Sequence, residues 1–335
     1  MSKTALVLRW GAFGDHIQST PVIRALKNDG YHVTVHTSER GLPVYKNNPH
    51  IDGIIEYKDD TVKQKDLESY WKELGSHYDR FVNLSGIVEG GLLKSEAIKD
   101  SGVDWPKEQR HAECNKNYSE EMLRHAGYTD FDNLRMNGEL FPTIEEASRI
   151  GGFIRNKFKN KFVILWSLAG SSYHKAYPWA EWVALKFLNR HEDAYIITVG
   201  DEVCQILEWE HPRTLSKSGV FDIRTSLLLT KYVNLVVGTE TGVLNAAGCF
   251  DTPKIVLLSH STHENLTKYW MNVVPLHANV PCYPCHILHY TRRSCPCDKV
   301  TGAPACMVEL DKMKVFDEIE RIYQRWKRKC LNNRT

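Results

Sequence analysis

Two α/β domains, each a doubly wound parallel sheet and facing one another across a cleft, are the architecture this sequence predicts. Three observations predict it. Short apolar runs alternate with segments of helical periodicity from Thr4 to Leu84. The alternation lapses in the polar stretch Glu89 to Glu139 and restarts at Phe162. Several apolar runs also lead straight into glycine-bearing turns that open helices. A chain of 335 residues exceeds one ordinary core. The expected division is residues 1–140, residues 141–308 and a terminal helix over residues 309–335.

Thr4 to Arg9 reads as a strand buried on both faces, because Ala5-Leu6-Val7-Leu8 is unbroken by polar residues. A helix follows over Asp15 to Lys27, with Ile17, Val22, Ile23 and Leu26 at apolar positions. Strands are expected at His32 to Thr37, Ile51 to Tyr57 and Arg80 to Leu84, with a helix at Leu67 to Leu74. Tyr118 to His125 is the clearest helix of the polar stretch. After Phe162 to Trp166 come helix Ala180 to Asn189, strand Tyr195 to Val199 and helix Ile223 to Lys231. Strand Asn234 to Val237, helix Gly242 to Ala247 and strand Lys254 to Leu258 complete the second set. Met313, Phe316, Ile319, Ile322 and Tyr323 mark one face of a helix over Leu310 to Cys330. No repeat of solenoid period and no low-complexity tract interrupts the pattern.

The turn Arg9-Trp10-Gly11-Ala12-Phe13-Gly14-Asp15 is the most informative segment. Gly11 and Gly14 permit a sharp turn and a close backbone approach, and Asp15 falls where the helix starts. The glycine spacing is not that of a dinucleotide fingerprint, and no lysine-serine pair makes a P-loop. A carboxylate at the carboxyl end of a parallel strand can act as a general base, or it can cap the helix. In the second domain, Ser167, Gly170, Ser171, Ser172 and Lys175 follow the first strand. Convergent hydroxyl and N–H donors with one cation suit a diphosphate, although an ordinary loop would read the same way. Glu240-Thr241-Gly242 opens another helix after a strand, where an anion is favoured by backbone N–H groups. Glu240 itself would repel phosphate and suits sugar hydroxyls better. Asp201 and Glu202, after a third strand, could hold ribose hydroxyls, or Asp201 could cap.

Forty-three basic residues against 41 acidic ones leave a net charge of +2. That balance weighs against a partner held by nucleic-acid phosphates, although Arg110, His111, Lys116 and Arg124 could form a local basic patch. No apolar run approaches the ~20 residues of a membrane span, and the start of the sequence lacks a signal-peptide core, which predicts a cytoplasmic protein. The basic run RIYQRWKRK is either a solvated helix face or a contact with an anionic membrane surface. Of nine cysteines, Cys282, Cys285, Cys295, Cys297 and Cys306 cluster. They could form a structural zinc site, remain reduced thiols or make one local disulfide.

Taken together, these segments resemble glycosyltransferase family 9, the heptosyltransferases that extend the lipopolysaccharide core. LVLRWGAFGDHIQSTPVIRAL resembles the family's opening, NNPHIDGII the segment after its second strand, and AGSSYHKAYPWAEW its donor-diphosphate loop. VVGTETGVLNAAG resembles its donor turn, with Glu240 where the family usually has aspartate, and CYPC…CP…CM a cysteine pattern common in it. The resemblance implies a GT-B-type, metal-independent inverting glycosyltransferase. Asp15 would be the catalytic base, and the donor residues would be Gly14, Ser171, Ser172, Lys175, Glu202, Phe221, Glu240, Thr241 and Gly242. It implies a nucleotide-sugar donor, ADP-heptose first, with no cofactor needed for catalysis. The acceptor would be a glycan or glycolipid hydroxyl at the inner face of a membrane. Phe221 would border the nucleotide base, stacking on a purine, or it would anchor the start of its helix. A modified nucleic-acid base or a protein as acceptor, or a non-catalytic nucleotide-sugar-binding adaptor, are the alternatives.

Overall fold

A computed structural model describes residues 3–58, 62–63, 66–85, 106–170, 175–287 and 295–332. The chain divides into two compact units, one of Met1–Gly102 with Lys116–Pro142, the other of Val103–Asn115 with Thr143–Thr335.

In the first unit, β1 (Thr4–Arg9), β2 (His32–Ser38), β3 (Gly53–Tyr57) and β4 (Arg80–Asn83) form one sheet in the order β3-β2-β1-β4. Every pairing is parallel, with Val7 opposite both Val35 and Val82. Ala5, Leu6, Val7 and Leu8 are fully buried, as a continuous apolar run at the centre of a covered sheet requires. Helix α1 (Phe13–Asn28) ends by handing over to Gly30 at φ +84°. There the Tyr31 N–H reaches Leu26 O at 3.1 Å and the Gly30 N–H reaches Lys27 O at 3.0 Å. That pair of reversed bonds needs the left-handed backbone a glycine supplies. Helix α2 (Leu67–Gly75) precedes β4. The chain then contributes α3 (Lys107–Cys114) to the second unit before α4 (Tyr118–His125) returns to pack on α1 through the fully buried Met122 and Leu123.

The second unit begins its main run with α5 (Ile144–Lys157), whose Thr143 and Glu146 cap one another. Its sheet contains β5 (Phe162–Ser167), β6 (Ala194–Val199), β7 (Thr214–Ser216), β8 (Leu235–Thr239), β9 (Lys254–Leu257) and β10 (Val273–Leu276). The order is β10-β9-β8-β5-β6-β7, again all parallel. Helices α6 (Ala180–Arg190), α7 (Ile223–Leu229), α8 (Gly242–Gly248) and α9 (Lys312–Asn332) accompany it, with single helical turns at His263–Leu266 and Ala305–Val308. α9 packs on α6 and the sheet through Val315, Phe316, Ile319, Ile322 and Tyr323. Met313, expected on that face, is instead exposed, because the helix begins at Lys312 and Val315 takes the inward position.

In both sheets the chain builds outward on one side of its first strand and then crosses to the other side. The reversal falls between β1 and β4 in the first unit and between β5 and β8 in the second. Such a switch point opens a crevice at the carboxyl ends of the two strands.

Candidate functional site

At the switch point of the first unit, Asp15 occupies the third position of α1, which begins at Phe13 rather than at Asp15. Its Oδ2 accepts the Ala12 N–H at 2.7 Å, so it caps the helix from inside the first turn. Its Oδ1 lies 3.2 Å from Arg9 Nη2, and Asp15 keeps 17% of its side chain exposed while Arg9 keeps none. Arg9 Nη1 donates to Leu84 O at 2.6 Å, and the Trp10 N–H donates to Ser85 Oγ at 3.0 Å. A buried guanidinium thus ties the ends of β1 and β4 together beneath a partly exposed carboxylate. Gly11 makes the arrangement possible, since it sits at φ +133° and a Cβ there would meet Asp15 Oδ2 at 2.5 Å. Gly14 is a half-buried residue of the first helical turn, with the tight turn left to Gly11 alone.

Behind Asp15 lies a polar group with no counterpart in the sequence reading. His16 is fully buried, its Nδ1 3.2 Å from Tyr45 Oη, which in turn lies 2.8 Å from Ser19 Oγ. Burial first, then the Arg9 charge, lowers the His16 imidazole to about 4, so it is neutral at pH 7.

At the switch point of the second unit the loops after β5 and β8 meet. Lys175 Nζ donates to Glu240 O at 2.8 Å, and Ser167 Oγ lies 3.1 Å from Thr241 Oγ1. A Cβ on Gly170 would stand 3.0 Å from Lys175 Cδ and 3.3 Å from Thr241 Cγ2. Thr241 caps α8, accepting the Leu244 N–H at 3.3 Å, with Gly242 half-buried after it. Ser171 and Ser172 lie outside the described residues.

The Glu240 carboxylate is turned into its own unit. Oε2 accepts the Ser259 N–H at 3.1 Å and Oε1 the Ser261 N–H at 3.1 Å, and both hydroxyls, Ser259 Oγ and Ser261 Oγ, donate as well. His260 Nδ1 lies 3.1 Å from Oε2. Burial alone would raise this carboxyl. Attraction and hydrogen bonding to His260, the Lys175 charge and the Ser259 hydroxyl outweigh it and hold the group well below the usual carboxylate range. The expected partnership with sugar hydroxyls is therefore not the geometry found; Glu240 anchors the loop that follows β9. Nothing in the local spacing announces this, because the partners lie 19 to 21 residues away.

Asp201 takes the capping alternative, accepting the Cys204 N–H at 3.1 Å, and leaves Glu202 exposed. A Cβ on Gly219 would lie 2.9 Å from Glu202 Cγ, so the loop leading to Phe221 passes directly beside Glu202. Phe221 is half-buried, edge-on to Phe153 at 6.2 Å and with Lys217 Nζ 5.7 Å from its ring centre. A further pocket of about 420 Å³ lies against the Ser259–Ser261 loop, walled by Leu258, Thr262, His263, Pro275 and the stacked rings of His277 and Tyr283.

All five clustered cysteines are free thiols, which removes the local disulfide. Among the described residues no three His, Cys, Asp or Glu side chains converge to hold a metal ion, so the zinc site read from the spacing has no support. The basic patch is likewise engaged locally. Arg110 Nε donates to Cys285 O at 2.8 Å and His111 Nδ1 lies 2.9 Å from His286 Nε2, whereas Arg124 pairs with Glu120 and Glu121. Among the described residues no helix is long and apolar enough to cross a membrane.

No protein-family model and no curated relative matches the sequence. Solved structures do share the fold. A glycosyl transferase family 9 protein from Veillonella parvula DSM 2008 superposes with a TM-score of 0.68 at 13% identity, over 96% of this chain and 98% of that one. E. coli ADP-heptose LPS heptosyltransferase II gives 0.65 at 13% identity, over 97% and 99%. E. coli heptosyltransferase WaaC, solved with ADP, gives 0.56 at 12% identity, over 95% and 99%. The GT-B-type, two-sheet α/β fold of these proteins is the fold of this chain.

Proposed function

We propose that this chain is an inverting glycosyltransferase that moves a sugar from a nucleoside diphosphate to an acceptor hydroxyl. The observation that carries the reading is the placement of the two chemical groups. Asp15 and Lys175 each stand at the strand-order reversal of their own sheet, where α/β folds bind ligands. The resemblance of the glycine turn and the donor turn to family 9, and the fold shared with its solved structures, support the same conclusion.

In this reading Asp15 takes the proton of the acceptor hydroxyl as its oxygen attacks the anomeric carbon from the face opposite the leaving group. Arg9 fixes the carboxylate from below while its remaining exposure leaves it reachable. As the anomeric bond breaks, negative charge grows on the departing diphosphate. Lys175 and the Thr241–Gly242 turn stabilise it, with no step assigned to a metal. Glu240 works at one remove, by fixing the loop beside the donor turn. Phe221 borders the base and favours a purine, which makes an ADP-sugar, ADP-heptose first, the proposed donor. A surface glycan or glycolipid assembled at the cytoplasmic face of the membrane is the proposed acceptor class.

Thermal stabilisation by ADP and UDP tests the donor half. ADP should stabilise the protein more than UDP, Lys175→Ala should weaken diphosphates far more than adenosine, and Phe221→Ala should weaken ADP without unfolding the chain. Asp15→Asn should lower transfer by roughly 10²–10⁴-fold while ADP still binds. Equal affinity for ADP and UDP, or ADP binding indifferent to Lys175, would overturn the donor placement. Transfer near the wild-type rate in Asp15→Asn would overturn the base.

A further inference from the structure

The loops after β6 and β7 are fastened to each other by one side chain. Glu208 ends the turn that follows β6, and three donors converge on its Oε1. They are the Thr198 hydroxyl at 2.6 Å, the Lys217 N–H at 3.1 Å and the Ser218 N–H at 3.0 Å. Successive backbone N–H groups aimed at one point form a concavity suited to an anion, and here an internal carboxylate fills it. Two more bonds close the same clamp: Gln205 Nε2 donates to Ser218 O at 3.0 Å, and the Gly219 N–H donates to Gly200 O at 3.0 Å. Trp209, the next residue after Glu208, fixes the backbone there. It is buried edge-on against Trp166, and its Nε1 donates to Thr214 Oγ1 at 3.0 Å.

Phe221 comes just after this clamp and just before Asp222, which caps α7 by accepting the Thr225 N–H at 2.6 Å. Its backbone is therefore held from both sides within the second unit. The surface around it is open. Val203 and Val220, on the two fastened loops, are 70% and 60% exposed, and Phe221 is half-buried. Exposed apolar side chains beside an anion site that is already filled suit the flat, uncharged part of a ligand and offer little to a phosphate.

We propose that Glu208 is a positioning residue for the donor. By filling the Lys217–Ser218 turn it holds Phe221 where the nucleobase stacks, and so sets the affinity for the base end of the nucleotide and not for its diphosphate. The stacking role of Phe221 belongs to the glycosyl-transfer reading, on which this consequence rests; the hold on the loop does not. A loop ordered before the ligand arrives leaves less ordering to be done on binding. All three donors meet one oxygen of the carboxylate, so the device needs an acceptor atom and not a negative charge. An amide keeps that acceptor. Glu208→Gln should therefore preserve the clamp, in contrast to Glu240→Gln, where the donors are divided between both oxygens.

Amide hydrogen exchange and calorimetric titration with ADP and with pyrophosphate test it on the full chain. In Glu208→Ala the amides from Lys217 to Phe221 should exchange about 10-fold faster or more. ADP should bind that variant about 5-fold more weakly or worse, and pyrophosphate within about 2-fold of the wild type. Glu208→Gln should match the wild type in all three measurements. Should Glu208→Ala fail to fold, Gln205→Ala, which removes the bond to Ser218 O, should show the same pattern at smaller amplitude. Unchanged exchange in the folded variant, equal losses for ADP and pyrophosphate, or a glutamine as damaging as alanine overturns the positioning role. Faster exchange with unchanged ADP binding overturns its link to the donor. Phe221→Ala, titrated alongside, then locates the fault: unchanged ADP binding there faults the base placement, and weakened binding faults Glu208. A wild type that binds no ADP refutes the donor reading, while exchange still decides the clamp.

Discussion

Replacing Glu240 by glutamine changes one oxygen into an NH₂ group inside a closed hydrogen-bond cage. Two backbone N–H groups and two hydroxyls donate to the carboxylate, with His260 beside it, and only 6% of the residue is exposed. The amide can accept at one oxygen only. Whichever way it turns, one serine N–H faces a donor and is left unsatisfied, while its hydroxyl must rotate away. An unsatisfied buried donor costs about 1–3 kcal/mol, and breaking one partner of a buried charged group about 3–5 kcal/mol. We therefore expect Glu240→Gln to destabilise the second unit by about 3–5 kcal/mol. For a unit of this size that is a fall of roughly 6–20 °C in the calorimetric transition that carries it. The pH dependence follows from the sign of the shift. A carboxyl held below its unfolded value contributes stability that is complete above that value and is lost as pH falls toward the folded one. The wild type should thus show an acid limb below about pH 4.5 that is flatter in Glu240→Gln. A loss under 1 kcal/mol, or an unchanged acid limb, would refute the anchoring role and return the carboxylate to an exposed, ligand-facing one.

Gly11→Ala forces a β-carbon to within 2.5 Å of Asp15 Oδ2 at φ +133°. Backbone strain of about 1–3 kcal/mol and displacement of the carboxylate should follow, so transfer activity should fall further than stability when both are measured on one preparation. His16, neutral when folded and lowered to about 4, contributes stability that is complete above its unfolded value near 6.5. That contribution, up to about 3 kcal/mol, is lost as pH falls toward 4; melting curves from pH 7 to 4 should show a steeper decline in the wild type than in His16→Gln.

Elements with unbroken apolar runs were legible in the sequence, and Thr4–Arg9 has the same bounds in both accounts. The losses have particular causes. β10 contains Pro275, which reads as a breaker, yet β10 pairs only with β9 at the edge of the sheet, where a missing N–H costs little. α5 carries Gly151-Gly152 at its middle, which hid its period, although the reciprocal cap of Thr143 and Glu146 was a readable start signal. β7, three residues long, is too short for a period to register. α1 begins at Phe13 because Asp15 caps from the third position, whereas the reading took the acid for the first residue of the helix.

The candidate sites show a deeper limit. The glycine turn, Lys175 and the Glu240 turn were visible because each is local, a few residues whose spacing fixes a turn. What aims them is not local. Arg9 was in plain view beside Asp15, yet its burial depends on β4 crossing back to lie against β1, which brings Leu84 O within 2.6 Å of the guanidinium. Glu240 likewise looked free because its five partner groups belong to a loop beyond the next strand. In the first unit the crossing to β4 that opens the crevice also brings the carbonyl that holds the Arg9 guanidinium, whereas in the second the hold on Glu240 comes from the loop after β9, the strand laid down next to β8. A turn motif therefore identifies which residues are candidates, and the strand order decides whether the charge stays partly exposed, as at Asp15, or is consumed within the fold, as at Glu240.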